Sequence, residues 1–331
     1  MTQAEAPPPQ PPVPSAAPVM SGIKESVSLR NNPVLRREMS ERLSGAKGVM
    51  LLVIPLALLT GVLLLAYTAS NAFNQTFTVD VTQLGTVGRQ VFEWVLSAML
   101  ALLLFIVPGL TAGSITGERE RQTLVPLQMT MMSPFNIIAG KLSAALAFLI
   151  LLIVATTPLL AASYTVGGLA VLDIVRGLAM LIFTGIVLGA VCIWISSRMK
   201  RTAAATVMCY GVSFFFSFGG FIILIVWAII SAIGGSAGAP PPELLSISPF
   251  NALGDALPRS VGEFGSDVVS PLGGARELVR GLSSERANDF GNDFDDGVLI
   301  WLYYTIIGLV LFALSVRGAA KAITTPAETE R

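Results

Sequence analysis

The chain has 331 residues, of which 53% are hydrophobic and 13% charged, and its mean hydropathy of +0.72 lies far from that of soluble domains. The formal net charge is zero, so no polyanion-binding surface is implied at the level of the whole chain and nucleic acid is not expected as a partner. Histidine is absent, which removes the Ser-His-Asp triad and the HExxH zinc site together, and the two cysteines, Cys192 and Cys209, lie inside apolar runs without metal-ligand spacing and read as small buried hydrophobes.

The N-terminal stretch contains PPPQPPVP and almost no large apolar side chains. It can bury too little to offset the entropy of ordering it, and residues 1–31 are expected to form a disordered Pro-rich tail. The first apolar run starts near residue 49, too late for a secretory signal, so no cleavage is expected. Asn32-Pro33 reads as a helix start. Leu35, Met39, Leu43 and Ala46 then fall on one arc at helical spacing, while Arg36, Arg37, Glu41 and Ser44 occupy the rest. An interfacial helix over residues 32–47 follows, with its apolar arc at the headgroup boundary and its charges, Arg42 among them, in water.

About 20 apolar residues are needed to cross roughly 30 Å of hydrocarbon. Six runs qualify, near Val49–Ser70, Trp94–Ser114, Leu142–Tyr164, Gly177–Ser197, Val207–Ile233 and Val298–Val316, within a transmembrane domain set at residues 48–318. Pro55, Pro108 and Pro158 fall inside three of them, which lipid tolerates because neighbouring helices re-satisfy the freed carbonyls. The basic residues near span ends sit almost all on one side if the N-terminus is cytoplasmic: Arg119, Arg121, Lys141, Arg198, Lys200, Arg201, Arg317 and Lys321 join those before the first span, while the short outer loops receive only Arg89 and Arg176. Both termini, including the tail at 319–331, are therefore expected inside. The fold class is an all-α integral membrane protein.

Between the second and third runs lies a polar interruption, residues 117–141, GERERQTLVPLQMTMMSPFNIIAGK. Glu118, Arg119, Glu120 and Arg121 crowd four formal charges directly behind an apolar run, which marks an exit from lipid. Ser133-Pro134 then pairs a helix cap with a residue pre-set for the first turn. A short helix, a turn and a second helix start are the simplest reading.

These residues resemble the first cytoplasmic loop of the membrane subunits of type-2 ABC exporters, which reads like ERE-x-GTLE-x-L, then Ser/Thr-Pro, then Gly-Lys. The match falls on Glu118, Arg119, Glu120, Thr123, Leu124, Leu127, Ser133, Pro134, Gly140 and Lys141. It departs at Gln122, where Gly is usual and whose side chain lacks the φ > 0 freedom of Gly, and at Val125-Pro126, where a Glu often follows the Leu. The resemblance implies that this loop carries a coupling helix docking on a separate ATP-binding subunit, and that residues 32–47 are the elbow helix of such subunits. It further implies two copies of the ATPase subunit, a second permease chain (identical or paralogous), surrounding membrane lipid, and a place in the inner (plasma) membrane of a bacterium. ATP and Mg would be used by the partner; no cofactor is expected on this chain, which lacks a G-x-x-x-x-G-K-[ST] loop and is not expected to be an enzyme itself.

The long segment 234–297 is acidic, with ten Asp or Glu against four Arg, and is placed outside by the same count. Ser248-Pro249 repeats the cap-and-Pro start, followed by Phe250, Leu253 and Leu257 on one face. Ala275, Leu278, Val279 and Leu282 mark a second amphipathic stretch. One or two short helices lying on the outer leaflet are expected. No ionisable residue is expected at the centre of a span. Glu93 is read at the outer mouth of the second span, and Asp173 and Arg176, spaced i, i+3, at the outer start of the fourth, as candidate outer-mouth polar residues and a self-neutralising pair. This absence argues against ion coupling and for an apolar or amphipathic cargo. Gly185-Ile186-Val187-Leu188-Gly189 is a small-xxx-small step that suits packing within the chain better than a dimer seam. The function expected is permease subunit of an ATP-binding-cassette exporter. A secondary carrier or channel without an ATPase, and a non-transporting membrane scaffold, fit the same residues.

Overall fold

Six long apolar runs separated by charge, Gly and Pro can only satisfy their backbone in lipid as helices. The computed structural model, which describes residues 45–74, 81–123, 134–234, 242–257, 272 and 300–324, is all-helical, and no strand occurs among the described residues. In chain order the helices are α1 (Gly45–Asn74), α2 (Val81–Thr111), α3 (Thr116–Glu120), α4 (Pro134–Val166), α5 (Val171–Arg198), α6 (Thr202–Gly234), a 3-10 turn (Pro242–Ile247), α7 (Pro249–Ala256) and α8 (Ile300–Thr324). Six of them, α1, α2, α4, α5, α6 and α8, are long and apolar enough to cross a membrane. The first three residues of α1 were expected to end the elbow helix; the rest of that helix, the N-terminal tail, and residues Leu124, Leu127 and Ser133 lie outside the described residues.

The helices run past the apolar windows wherever a charge finds a partner inside the bundle. Helix α2 begins at Val81, not near Trp94, and Arg89 is a helical residue only 6% exposed rather than part of an outer loop. Glu93, 3% exposed, is likewise inside the packed helix and not at an open mouth. Arg89 Nε donates to Glu93 Oε1 at 3.3 Å, one turn apart, so each charge is neutralised on the buried side of its own helix. Helix α5 begins at Val171 for a related reason. Asp173 Oδ2 accepts from the backbone N–H of Ala170 at 3.1 Å, covering one of the orphan donors of the helix start. That corrects the expected Asp173–Arg176 pair: Asp173 is buried and capping, Arg176 points out exposed, and no ion pair joins them among the described residues.

Helices α2, α4 and α5 form the core, mostly buried over their apolar windows, whereas α1, α6 and α8 flank it and stay largely exposed. Phe92, Leu96, Leu100, Phe148, Leu181 and Ile193 are the large fully buried side chains of this layer. Small residues set the helix separations, as packing in lipid requires where no hydrophobic drive brings helices together. The Gly185-xxx-Gly189 step receives Leu149 and Leu142 of α4, whose methyls would lie 2.7 and 3.0 Å from an added Cβ, so this step packs within the chain. On the other face of α5, Phe183 and Trp194 press against Gly308 and Gly318 of α8.

At the end remote from Glu118, α7 starts at Pro249 directly after Ser248. Its apolar face was expected to meet the outer leaflet. Asn251, Ala252, Leu253 and Leu257 are buried against α5 and α8. Three polar bonds hold it there: Ser248 Oγ donates to Ser217 O of α6 at 3.2 Å, Asn251 Nδ2 to Leu245 O at 3.1 Å, and the Trp301 N–H of α8 to Asp255 Oδ2 at 3.1 Å. The second amphipathic stretch, Ala275–Leu282, lies outside the described residues.

Candidate functional site

The charged sequence after α2 is a junction of four helices. Residues 112–115 turn the chain out of α2 into the five-residue helix α3. The first donors of that turn are buried, and both Ile115 N and Thr116 N donate to a single hydroxyl, Ser196 Oγ of α5, at 3.1 Å each. Buried N–H groups without such an acceptor would carry a desolvation penalty of about 1–3 kcal/mol each.

Helix α3 closes with a Schellman motif. Gln122 N donates to Arg119 O at 3.1 Å and Thr123 N to Glu118 O at 2.9 Å, the two reverse bonds that define the motif. They require a left-handed residue between the helix and Thr123, and Gln122 has φ +58°. The position where the resemblance leads one to expect Gly keeps the conformation for which Gly is suited, imposed here on a side chain that disfavours it.

Each charge of the Glu118-Arg119-Glu120 triplet is then committed to a different helix. Glu118 Oε1 lies 3.5 Å from Lys141 Nζ of α4, and its other carboxylate oxygen accepts from Thr123 Oγ1. Lys141 is only 3% exposed, so the ammonium sits inside the bundle against that carboxylate and not in open water. Arg119 reaches the last turn of α5, with Nη1 donating to Met199 O at 2.6 Å and Nη2 to Ser197 O at 3.2 Å. Glu120 reaches the first turn of α6: Thr202 N donates to Oε1 at 2.7 Å, and Thr202 Oγ1 lies 2.9 and 3.1 Å from the two carboxylate oxygens. A cation covers orphan carbonyls at a helix C-terminus and an anion covers orphan N–H groups at an N-terminus, so both charges also oppose the local helix dipole.

Of the residues singled out in the sequence, Glu118, Arg119, Glu120, Thr123 and Lys141 are brought together. Pro134 is the first residue of α4, and Gly140 is buried one position before Lys141. The elbow arginines Arg36, Arg37 and Arg42 lie outside the described residues. The observed partners of Arg119 and Glu120, which are Ser197, Met199 and Thr202, and Ser196, which holds Ile115 and Thr116, were missed. Nothing in their local pattern marks them, because they stand some 80 residues along the chain.

A cleft of about 560 Å³ opens between α2 and α6, beneath α7. Its walls include Phe105, Tyr210, Phe214, Phe218 and Phe250. Phe105 and Tyr210 stand with ring centroids 5.3 Å apart across the gap, and Phe214 and Phe218 with centroids 4.8 Å apart along α6. Its two hydroxyl-bearing serines turn away from the space: Ser213 Oγ donates to Leu104 O at 2.5 Å and Ser217 Oγ to Ser213 O at 3.0 Å. The cleft is thus apolar and aromatic despite polar residues in its wall.

Comparison with curated proteins gives no match. A family model described as "ABC-2 family transporter protein" matches residues 56–317. That span takes in α2 to α7 whole and most of α1 and α8, with the charged junction and the cleft between them. With six helices able to span a membrane and a family match over most of its length, the chain belongs to the ABC-2 transporter family, the membrane permease components of ATP-binding-cassette systems.

Proposed function

We propose that the chain is the permease half of an exporter whose ATPase is a separate subunit docking on the loop between α2 and α4. The observation that carries this reading is the junction itself: a single five-residue helix at the root of the loop is tied by three consecutive charges to α4, α5 and α6. A load applied to the loop would reach three spanning helices at once, whereas a loop serving only as a connection has no need of such ties. Two permease chains and two ATPase subunits would form the working complex, with the loop and both termini in the cytoplasm. ATP and Mg would be handled by the partner.

The mechanism is a rocking of the two permease halves. Closure of the ATPase pair displaces the docking segment, residues 123–132, and the displacement enters the bundle through α3. It changes the state of the pathway only if the junction is strained differently in the two states. The aromatic cleft between α2 and α6 offers an apolar or amphipathic cargo a wall of rings that is mostly apolar, with the Tyr210 hydroxyl among its few polar groups.

The test is co-purification and coupling. The chain expressed with an ATP-binding-cassette ATPase subunit from the same genome should purify as a complex and hydrolyse ATP, and removal of residues 124–132 should abolish the association. Replacing Glu118 and Glu120 together by Gln should leave membrane insertion intact but lower cargo movement per ATP hydrolysed. Movement of cargo in cells lacking every such ATPase would point to a secondary carrier. A stable complex whose ATP hydrolysis no cargo stimulates would point to a scaffold.

A further inference from the structure

Arg119 and Glu120 are adjacent in one turn of α3, yet they hold helices of very different burial. Helix α5, held by Arg119, is the most buried of the spanning helices, packed between α2, α4 and α8. Helix α6, held by Glu120, is buried over only a quarter of its apolar window and leaves Val207, Phe214, Phe215, Phe218, Ile225 and Ile230 exposed. The two helices are joined by the short turn 199–201, where Met199 is extended at φ −84°, ψ 149°. One residue of the pair therefore grips the buried centre of the bundle, and the other grips the foot of a helix on its flank.

We propose that Arg119 is the fulcrum and Glu120 the lever of a joint that pivots α6 against α5 and so opens or closes the aromatic cleft. This rests on the docking reading above and names the route by which that docking acts. Thr202, gripped by Glu120, is the first residue of α6, and the cleft residues Tyr210 and Phe218 lie 8 and 16 residues further along the same helix, about 12 and 24 Å at a helical rise of roughly 1.5 Å per residue. A tilt at the foot is carried along this rod to the cleft wall. Across the gap, the ties between α6 and α2 seen in the cleft are the Ser213–Leu104 hydrogen bond and the Phe105–Tyr210 ring contact. A tilt of α6 changes both. Arg119 and Glu120 are positioning residues in this scheme; neither touches cargo or nucleotide.

The experiment uses the full complex with its ATPase subunit in proteoliposomes. Cysteines replace Phe105 and Tyr210 in a background where Cys192 and Cys209 are Ala, and the yield of a short bis-maleimide cross-link across the cleft is read with and without MgATP. The cross-link yield should change at least fivefold on MgATP when Glu120 is present, and that change per ATP hydrolysed should fall at least fivefold in Glu120→Ala. A second variant separates the lever from simple helix capping. Arg201→Ser supplies a local cap to the start of α6 without restoring the tie to α3, so Glu120→Ala/Arg201→Ser should stay unresponsive. Recovery of the MgATP response in that double variant would overturn the proposal, because Glu120 would then be only a cap. An unresponsive cleft in a complex that retains Glu120 and hydrolyses ATP would overturn it too, leaving the docking reading standing. Failure of any ATPase subunit to associate is the distinct result that removes the docking reading, and the lever with it.

Discussion

The ammonium of Lys141 lies 3.5 Å from the Glu118 carboxylate while its side chain is 3% exposed, so a charge that reads as a water-facing mark is a buried tie between α3 and α4. Removing the carboxylate takes a counter-charge from a buried ammonium, which costs more than removing the buried charge itself. Glu118 is partly open, which moderates the effect. Glu118→Ala should destabilise the protein by about 2 kcal/mol, whereas Lys141→Met, which keeps the aliphatic stem, should cost less than about 1 kcal/mol. Thermal unfolding in detergent would measure both, and a larger loss from Lys141→Met would contradict the ranking.

Ser196 makes a sharper test of how α3 is attached. Its hydroxyl is fully buried and accepts from two backbone donors, Ile115 N and Thr116 N. Ser196→Ala orphans those donors and should cost roughly 2 kcal/mol. Ser197, next in sequence, turns its hydroxyl back to Trp194 O of its own helix at 2.7 Å. Ser197→Ala should therefore change stability by no more than about 0.5 kcal/mol. Comparable losses in the two variants would show that the contact to α3 carries no special weight.

Gln122 carries the left-handed turn that closes α3. Gln122→Gly should be accepted without loss of the motif. Gln122→Val places a β-branched residue at φ +58° and should lower stability by about 1–2 kcal/mol relative to the Gly variant. Gln122→Pro should be worse still, since Pro fixes φ near −65° and removes the N–H that bonds Arg119 O. Limited proteolysis between residues 121 and 134 should speed up in the order Gly, Gln, Val, Pro. Equal rates would show that the turn is not closed by this motif in the membrane.

Two glycines distinguish packing from propensity. A Cβ at Gly88 of α2 would stand 2.2 Å from the carbonyl oxygen of Gly167, a backbone atom in the turn between α4 and α5 that cannot step aside. Gly88→Ala should therefore force α2 away from that turn and reduce the yield of folded protein severalfold. Gly61 of α1 has nothing within 4 Å of an added Cβ. Gly61→Ala should be neutral or stabilise by up to about 1 kcal/mol through helix propensity. Size-exclusion profiles and melting curves of the two variants would check the contrast, and tolerance of Gly88→Ala would mean that α2 sits further from the turn than described here.

Much of the architecture was legible from local pattern. The number of spanning helices followed from apolar run length. Helix starts at Pro134 and Pro249 followed from a proline pre-set for the first turn, although Ser248 sends its hydroxyl to Ser217 O and not to the helix it precedes. The small-xxx-small step at Gly185 and Gly189 carried its packing role in its own spacing. Helix ends were less legible, because a hydropathy window stops at a charge and cannot tell that Arg89 and Glu93 neutralise each other inside the bundle, or that Asp173 caps the helix it begins. What covers the apolar face of α7 was illegible for the same reason: an apolar face specifies burial, not whether lipid or protein does the burying.

By itself, then, the sequence determined which stretches must be helical and which of them can cross a membrane, and it marked the charged triplet as exceptional, because periodicity, caps and charge are read within a few residues. Only the tertiary structure decided that Glu118 answers to Lys141, Arg119 to the end of α5 and Glu120 to the start of α6. Those partners are brought within bonding distance by the packing of helices 23 to 82 residues apart along the chain, and no local rule carries information over that separation.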